Sequence, residues 1–109
     1  MRIQKRAENK GLAQSLNDLL NIVMSAGYEY IARMDADDIS ELNRFERQIQ
    51  YFDEHPKVEC LGTWAVEIMG DGGEYYRKQM PESHEDCKKL FRKRDCMIHP
   101  TVIFSTFVY

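Results

Sequence analysis

Long apolar runs are absent from this sequence, and none approaches the roughly 20 residues that a membrane-spanning helix requires. No apolar segment follows the charged N-terminal residues, so no secretion signal is expected. Cysteine is scarce, since Cys60, Cys87 and Cys96 are odd in number and lack Cys-x-x-Cys spacing. That pattern argues against a disulfide framework and against a structural zinc site. A reducing cytoplasm therefore fits the chain best.

An excess of positive charge is also absent. The formal net charge is -3 over 109 residues, which gives no broad cationic field, so no nucleic-acid partner is expected. The one basic run, within residues 88–94, lies on a predicted helix and is expected to be a solvated face. The 43% apolar and 30% charged residues are typical of a soluble globular protein whose length supports one core. Residues 1–109 are therefore expected to form a single domain.

Apolar periodicity predicts helices that alternate with short strands. The stretch 12–23 has helical spacing, and Gly27 follows where a left-handed residue would end a helix. Asp38 and Glu41 form a capping-box pattern, so a second helix is expected to begin at Asp38 or Ser40. The other predicted features are a strand over 28–34, a helix end at His55-Pro56, a strand over 58–69 closed by a turn at 70–73, an extended segment over 74–80, a helix over 83–93 and a strand over 97–108. This alternation indicates an α/β fold in which helices cover a mainly parallel sheet.

Three carboxylates follow the strand predicted over 28–34, in the sequence Asp35-Ala36-Asp37-Asp38. Ligands of α/β sheets bind beyond the carboxyl ends of strands, which is where this cluster lies. Mg²⁺ and Mn²⁺ prefer oxygen ligands and commonly use one or two protein carboxylates together with phosphate oxygens, which a nucleotide diphosphate would supply. The alternative is structural: Asp38 caps the helix, Asp35 makes an Asx turn and Asp37 faces solvent.

The acidic cluster belongs to a longer series of segments, which are, in order, Glu8 to Asn17, Gly27 to Asp38, Arg44 with Gln48, His55-Pro56 with Gly62, and His99-Pro100-Thr101-Val102. Through these segments the chain resembles the family 2 glycosyltransferases of GT-A fold along most of its length. A series of matches in the family's order is far more specific than one acidic triplet.

The resemblance implies a partial GT-A fold, which is a Rossmann-like three-layer α/β sandwich of nucleotide-diphospho-sugar transferases, here with an incomplete sheet. It implies transfer of a sugar from a nucleotide-diphosphate donor to a hydroxyl of a saccharide or lipid-linked acceptor, with inversion. By this similarity Asp35 and Asp37 form the DxD motif that serves donor and Mg²⁺ or Mn²⁺. Asn9 and Gly11 match the turn on the nucleotide side, where a missing β-carbon lets the backbone approach a ligand.

Two further positions match the acceptor side of such enzymes. Asp38 ends the acidic motif, and His99 begins the late His-Pro segment. For His99 the alternative is a structural hydrogen bond.

The family's pattern is incomplete in this sequence. The leading strand with its Pro-x-Tyr-Asn-like loop has no counterpart, and neither has the second strand, whose aspartates hold base and ribose. The catalytic base, a carboxylate that deprotonates the acceptor, is expected beyond Tyr109. We therefore expect a single partial glycosyltransferase domain over 1–109 that is inactive alone and self-associates through exposed sheet edges.

Two other functions stay open. One is a non-enzymatic interaction or regulatory module whose acidic loop only caps a helix. The other is a nucleotidyltransferase fragment, which also uses paired carboxylates and a metal but usually brings a glycine-rich basic loop that is not visible here. Analogy with the family suggests bacterial surface polysaccharide synthesis, in the cytoplasm and, for a full-length protein, at the inner face of the membrane.

Overall fold

The computed structural model describes residues 3–5 and 7–108, except for the side chain of Val108. Helices and strands alternate along much of this part of the chain. The helices are α1 (Leu12–Met24), α2 (Arg44–Glu54) and α3 (His84–Phe91), and the strands are β1 (Tyr30–Ala32), β2 (Cys60–Leu61), β3 (Ala65–Ile68), β4 (Glu74–Lys78) and β5 (Ile103–Ser105). Two 3-10 turns, His99–Thr101 and Thr106–Val108, flank β5. The mixed α/β class predicted from the sequence is confirmed.

The main sheet has the order β1-β5-β2, with β5 in the centre. Both of its ladders are antiparallel, with Tyr30 opposite Ser105 and Cys60 opposite Phe104. The prediction of a mainly parallel sheet is therefore wrong for the described residues: β1 and β2 run in the same direction, but β5 lies between them and pairs with both. The pairing joins segments far apart in sequence, which local periodicity cannot reveal.

Strands β3 and β4 form an antiparallel hairpin outside this sheet. Its turn matches the prediction, since the Met69 amide donates to the Gly73 carbonyl at 2.8 Å and Gly72 has a φ of 85°. The single strand predicted over 58–69 is instead divided into β2 and β3. The Thr63 amide donates to the Thr101 hydroxyl at 3.0 Å, a side-chain bond that takes this residue out of the ladder.

Helix α1 agrees with the prediction; it ends at Met24, and Gly27, with a φ of 73°, lies in the turn that follows. Helix α2 ends at His55 as predicted, but it begins at Arg44 and not at Asp38 or Ser40. The preceding residues form turns instead, because the Asp38 amide donates to the Asp35 carbonyl at 3.3 Å and the Arg44 amide to the Glu41 carbonyl at 3.1 Å. The N-cap of α2 is Asn43, so Asp38 is not the helix cap that the alternative required.

The core lies where α2 covers β1 and β5. Among the described side chains, the buried ones are Phe52, Ile103 and Gln48, which are 4%, 3% and 2% exposed. The ring of Tyr30 stacks on Phe52 with 4.9 Å between centroids, which ties β1 to the helix. In the part of the chain that the structure describes, no helix has both the length and the apolar content needed to cross a bilayer.

Candidate functional site

The acidic segment Asp35–Asp38 follows β1 directly and lies at one end of the main sheet. The ladder continues one residue beyond β1, since the Arg33 amide donates to the Val102 carbonyl at 2.8 Å. Val102 in turn follows the 3-10 turn His99–Thr101. The structure therefore brings the acidic segment and the His99 turn to the same end of β1 and β5, and the sequence prediction that the carboxylates follow a strand is confirmed.

Within the acidic segment, only Asp35 forms an ion pair among the described residues. Arg33 Nη2 donates to Asp35 Oδ1 at 2.7 Å. The Arg33 side chain is 13% exposed and that of Asp35 is 42% exposed, so Asp35 is the nearest compensation for a largely desolvated guanidinium. Asp37 and Asp38 are exposed. Two carboxylates thus face solvent beside one that is ion-paired.

The carboxylates offer oxygen ligands of the kind that Mg²⁺ and Mn²⁺ prefer. Residues 3–5 and 7–108 contain no group of three or more His, Cys, Asp or Glu side chains arranged to hold a metal ion. The exposed Asp37 and half-exposed Asp35 fit the other mode of binding, in which a hard cation takes one or two carboxylates and completes its shell with phosphate oxygens and water. The oxygen donors here suit that mode.

A polar pair on α2, the half-buried Arg44 and the buried Gln48, lies behind the acidic segment. Arg44 Nη2 donates to the Arg33 carbonyl at 3.0 Å, and Arg44 Nε donates to Gln48 Oε1 at 3.0 Å. Gln48 Nε2 then donates to the Thr101 carbonyl at 3.0 Å and approaches that of Leu61 at 3.5 Å. Burial lowers the pKa of Arg44, an effect that the Asp38 carboxylate opposes.

From the sequence, these two side chains had no predicted role beyond matching the family. A signal was present, because Gln48 lies on the apolar stripe of α2 beside Ile49 and Phe52. A polar residue on a buried stripe indicates a specific hydrogen-bonding duty.

Asn9 and Gly11 form a local turn at the start of α1. The Gly11 amide donates to Asn9 Oδ1 at 2.9 Å, and the Gly11 φ of 80° requires glycine. Within the described residues, no hydrogen bond joins this turn to the acidic segment. The amide of Gly11 is already engaged, so the role predicted for Gly11 rests on its missing side chain alone.

His99 lies at the first position of its 3-10 turn and is exposed. No hydrogen bond of its imidazole is found in the described part of the chain. The turn itself is fixed through Thr101, whose hydroxyl lies 2.8 Å from the Ile98 carbonyl and 3.1 Å from that of Thr63. The ring is therefore accessible beside the acidic segment.

Comparison with known proteins gives one consistent family. The model of Glycosyl transferase family 2 matches residues 1–109. The amylovoran biosynthesis glycosyltransferase AmsE of Erwinia amylovora is 35% identical over 97 residues, which cover 89% of this chain and 35% of that protein. No solved structure matches the chain.

Two proteins of Escherichia coli are similarly related. The O-antigen biosynthesis glycosyltransferase WbnJ is 32% identical over 83 residues, covering 76% of this chain and 32% of its own length. The UDP-Gal:alpha-D-GlcNAc-diphosphoundecaprenol beta-1,3-galactosyltransferase is 32% identical over 99 residues, covering 90% of this chain and 34% of its own. The chain thus spans about a third of the length of these curated relatives.

Proposed function

The chain belongs to glycosyl transferase family 2, and from this premise we propose that residues 1–109 form one partial domain of an enzyme that transfers a sugar from a nucleotide-diphosphate donor to an acceptor hydroxyl with inversion. Its small sheets and three helices are consistent with a partial GT-A fold. The chain provides the diphosphate side of the active site. By this proposal the chain alone transfers no sugar, because none of its residues matches the family's general base, which inversion needs.

The observation that carries this proposal is the position of the acidic segment. Asp35 to Asp38 leave β1 at the end of the sheet where the backbone of Arg33 meets Val102, beside the turn that begins with His99. Carboxylates at a strand end can meet a ligand lying across the sheet edge. The exposed His99 then lies on the acceptor side of the same edge, together with Asp38.

The residues of the acidic segment have different roles in this proposal. Asp37, which is exposed, is the main carboxylate for Mg²⁺ or Mn²⁺, and Asp35 contributes from its place beside Arg33. When bound, the cation stabilises the negative charge that develops on the departing diphosphate. Ala36 adds no bulk between the two aspartates, while Asn9 and the bare backbone of Gly11 line the nucleotide side.

The acceptor class follows from the relatives by analogy. One of them has a name that describes an acceptor linked to diphosphoundecaprenol, and two others are named for amylovoran and O-antigen biosynthesis. We assign this chain to bacterial surface polysaccharide synthesis on a saccharide or lipid-linked acceptor. A lipid-linked acceptor would bring the full-length enzyme from the cytoplasm to the inner face of the membrane.

The test is a thermal-shift titration of the purified chain with Mn²⁺ and either UDP or GDP. We expect the midpoint of unfolding to rise only when both are present, because the cation bridges carboxylate and diphosphate. The rise should be lost in Asp37→Ala and kept in Asp95→Ala, a matched control at an exposed aspartate away from the segment. An unchanged response in Asp37→Ala, or none in the unmodified chain, would reject the metal role.

A further inference from the structure

The Arg44–Gln48 pair connects three segments that approach one another only in the folded chain. Arg44 reaches the carbonyl of Arg33, just before the acidic segment. Gln48 reaches the carbonyl of Thr101, in the turn that begins with His99, and that of Leu61 at the end of β2. The two side chains bond to each other at 3.0 Å. They therefore form a continuous hydrogen-bonded path from Arg33, just before the acidic segment, to the turn that begins with His99.

Burial makes this path specific. Gln48 is 2% exposed, so its amide must find partners within the protein or leave buried polar groups unsatisfied. Its oxygen accepts from Arg44 and its nitrogen donates to main-chain carbonyls, which uses both ends of the amide. A side chain without both a donor and an acceptor cannot repeat this arrangement.

Among the described residues, few backbone hydrogen bonds hold the acidic segment near the His99–Thr101 turn. Strand β1 is three residues long, and beyond it the Arg33–Val102 bond is the last backbone bond joining the two segments before the acidic cluster in the described residues. Peripheral ladder bonds at the end of a short strand fray readily. The Arg44–Gln48 path lies behind the junction formed by the Arg33–Val102 bond. It links the same two segments through side chains of α2.

We propose that Gln48, acting through Arg44, is a positioning residue that fixes the acidic segment against the His99–Thr101 turn. Neither residue touches donor, metal or acceptor in this role. The effect that we expect of Gln48 on metal binding rests on the function proposed above. Its effect on the Arg33–Val102 junction does not.

The junction is tested by amide hydrogen exchange of Arg33, measured by NMR on the whole chain. Gln48→Met keeps the length and the apolar stem of the side chain while removing the amide. Gln50→Met is the matched control, since Gln50 lies on the same helix and bonds only to Glu54 on the exposed surface. Each variant is measured at a temperature where its circular dichroism shows it fully folded.

We expect exchange of the Arg33 amide to be about tenfold faster in Gln48→Met and unchanged in Gln50→Met. Arg44→Lys provides a second variant should Gln48→Met fail to fold. It keeps the charge but loses the fork that reaches Gln48 and Arg33 together, and it should raise the exchange rate likewise. Unchanged exchange in the folded variants would overturn the proposal.

A second readout separates positioning from a purely structural role. Binding of Mn²⁺ in the presence of UDP, followed by the electron paramagnetic resonance signal of the free ion, should weaken about tenfold in Gln48→Met under folded conditions. Normal affinity in that variant, with binding intact in the unmodified chain, would overturn the proposal. Should the unmodified chain bind no Mn²⁺, the function proposed above fails, and the exchange of the Arg33 amide still decides whether the pair holds the junction.

Discussion

Arg33 is an unusual cation because it is largely buried beside only one carboxylate. Its Nη2 donates to Asp35, but its Nε and Nη1 are buried and have no acceptor among the described residues. Burying donors without partners costs about 1–3 kcal/mol. The guanidinium therefore depends on Asp35 for charge compensation more than Asp35 depends on it, since that carboxylate is half-exposed.

This asymmetry predicts different costs for the two halves of the pair. Asp35→Ala leaves the buried guanidinium unpaired and should lower the free energy of unfolding by about 1–2 kcal/mol. Arg33→Met removes the unsatisfied donors and should change that free energy by less than about 1 kcal/mol. Urea denaturation of both variants measures the difference. A larger loss in Arg33→Met than in Asp35→Ala would contradict this account.

At the scale of elements, helices α2 and α3 begin in different ways. Helix α3 has a capped start, because the Asp86 amide donates to Ser83 Oγ at 3.1 Å. The N-cap of α2 is Asn43, whose side chain makes no capping bond. Ser83 therefore stabilises its helix through its side chain, whereas Asn43 does not.

Substitution at the two N-caps should expose this difference. Ser83→Ala should cost about 1 kcal/mol of stability, because an amide at the start of α3 loses its acceptor. Asn43→Ala should stay within about 0.5 kcal/mol. Thermal unfolding followed by far-ultraviolet circular dichroism compares the two. Equal losses in both variants would show that the capping bond has no separate effect.

The elements predicted well from the sequence are those whose signals are local. The periodicity of α1, the helix over 83–93 and the turn between β3 and β4 depend on residues close together in the chain. The start of α2 was missed because the capping-box pattern at Asp38 competes with turns that the backbone forms instead. The division of β2 from β3 depends on Thr101, nearly forty residues further along, and no local pattern contains it.

The candidate site likewise has a part that local sequence signals predicted and a part that they did not. The acidic segment at the end of β1 was predicted because both strand signal and carboxylates are contiguous. The Arg44–Gln48 path was not, because it joins carbonyls of residues 33, 61 and 101, whose proximity is set by the antiparallel pairing around β5. The roles of Asn9, Gly11, Asp35, Asp37, Asp38 and His99 remain predictions.

The whole molecule exposes far more surface than its mass requires. Its accessible surface is 9213 Å², whereas a folded monomer of this mass exposes about 6,300 Å². Its radius of gyration is 15.4 Å, against about 13 Å for a compact chain of this length. The excess is larger than the roughly 800 Å² that each partner buries in a typical protein interface. Another polypeptide surface could therefore be accommodated.

We expect the purified chain to self-associate, because β1 is an outer strand of the main sheet and can pair with a second copy. Light scattering over a range of concentrations should show a mass above 12.9 kDa. Ala32→Lys, which adds a charge at the exposed end of β1, should shift the equilibrium towards monomer, while Ala26→Lys in the loop after α1 should not. A strictly monomeric chain that unfolds cooperatively would argue against this mode of association.

The central place of β5 has a consequence for synthesis on the ribosome. Strands β1 and β2 are translated first, yet each finds its partner in Ile103–Ser105. Until these residues leave the ribosome, the main sheet cannot form, and β1 and β2 stay unpaired. Ribosome-stalled chains that end before Ile103 should therefore be cut readily by protease, and those with residues 103–108 outside the exit tunnel should resist it. The moment at which β5 leaves the ribosome would thus set when the main sheet forms.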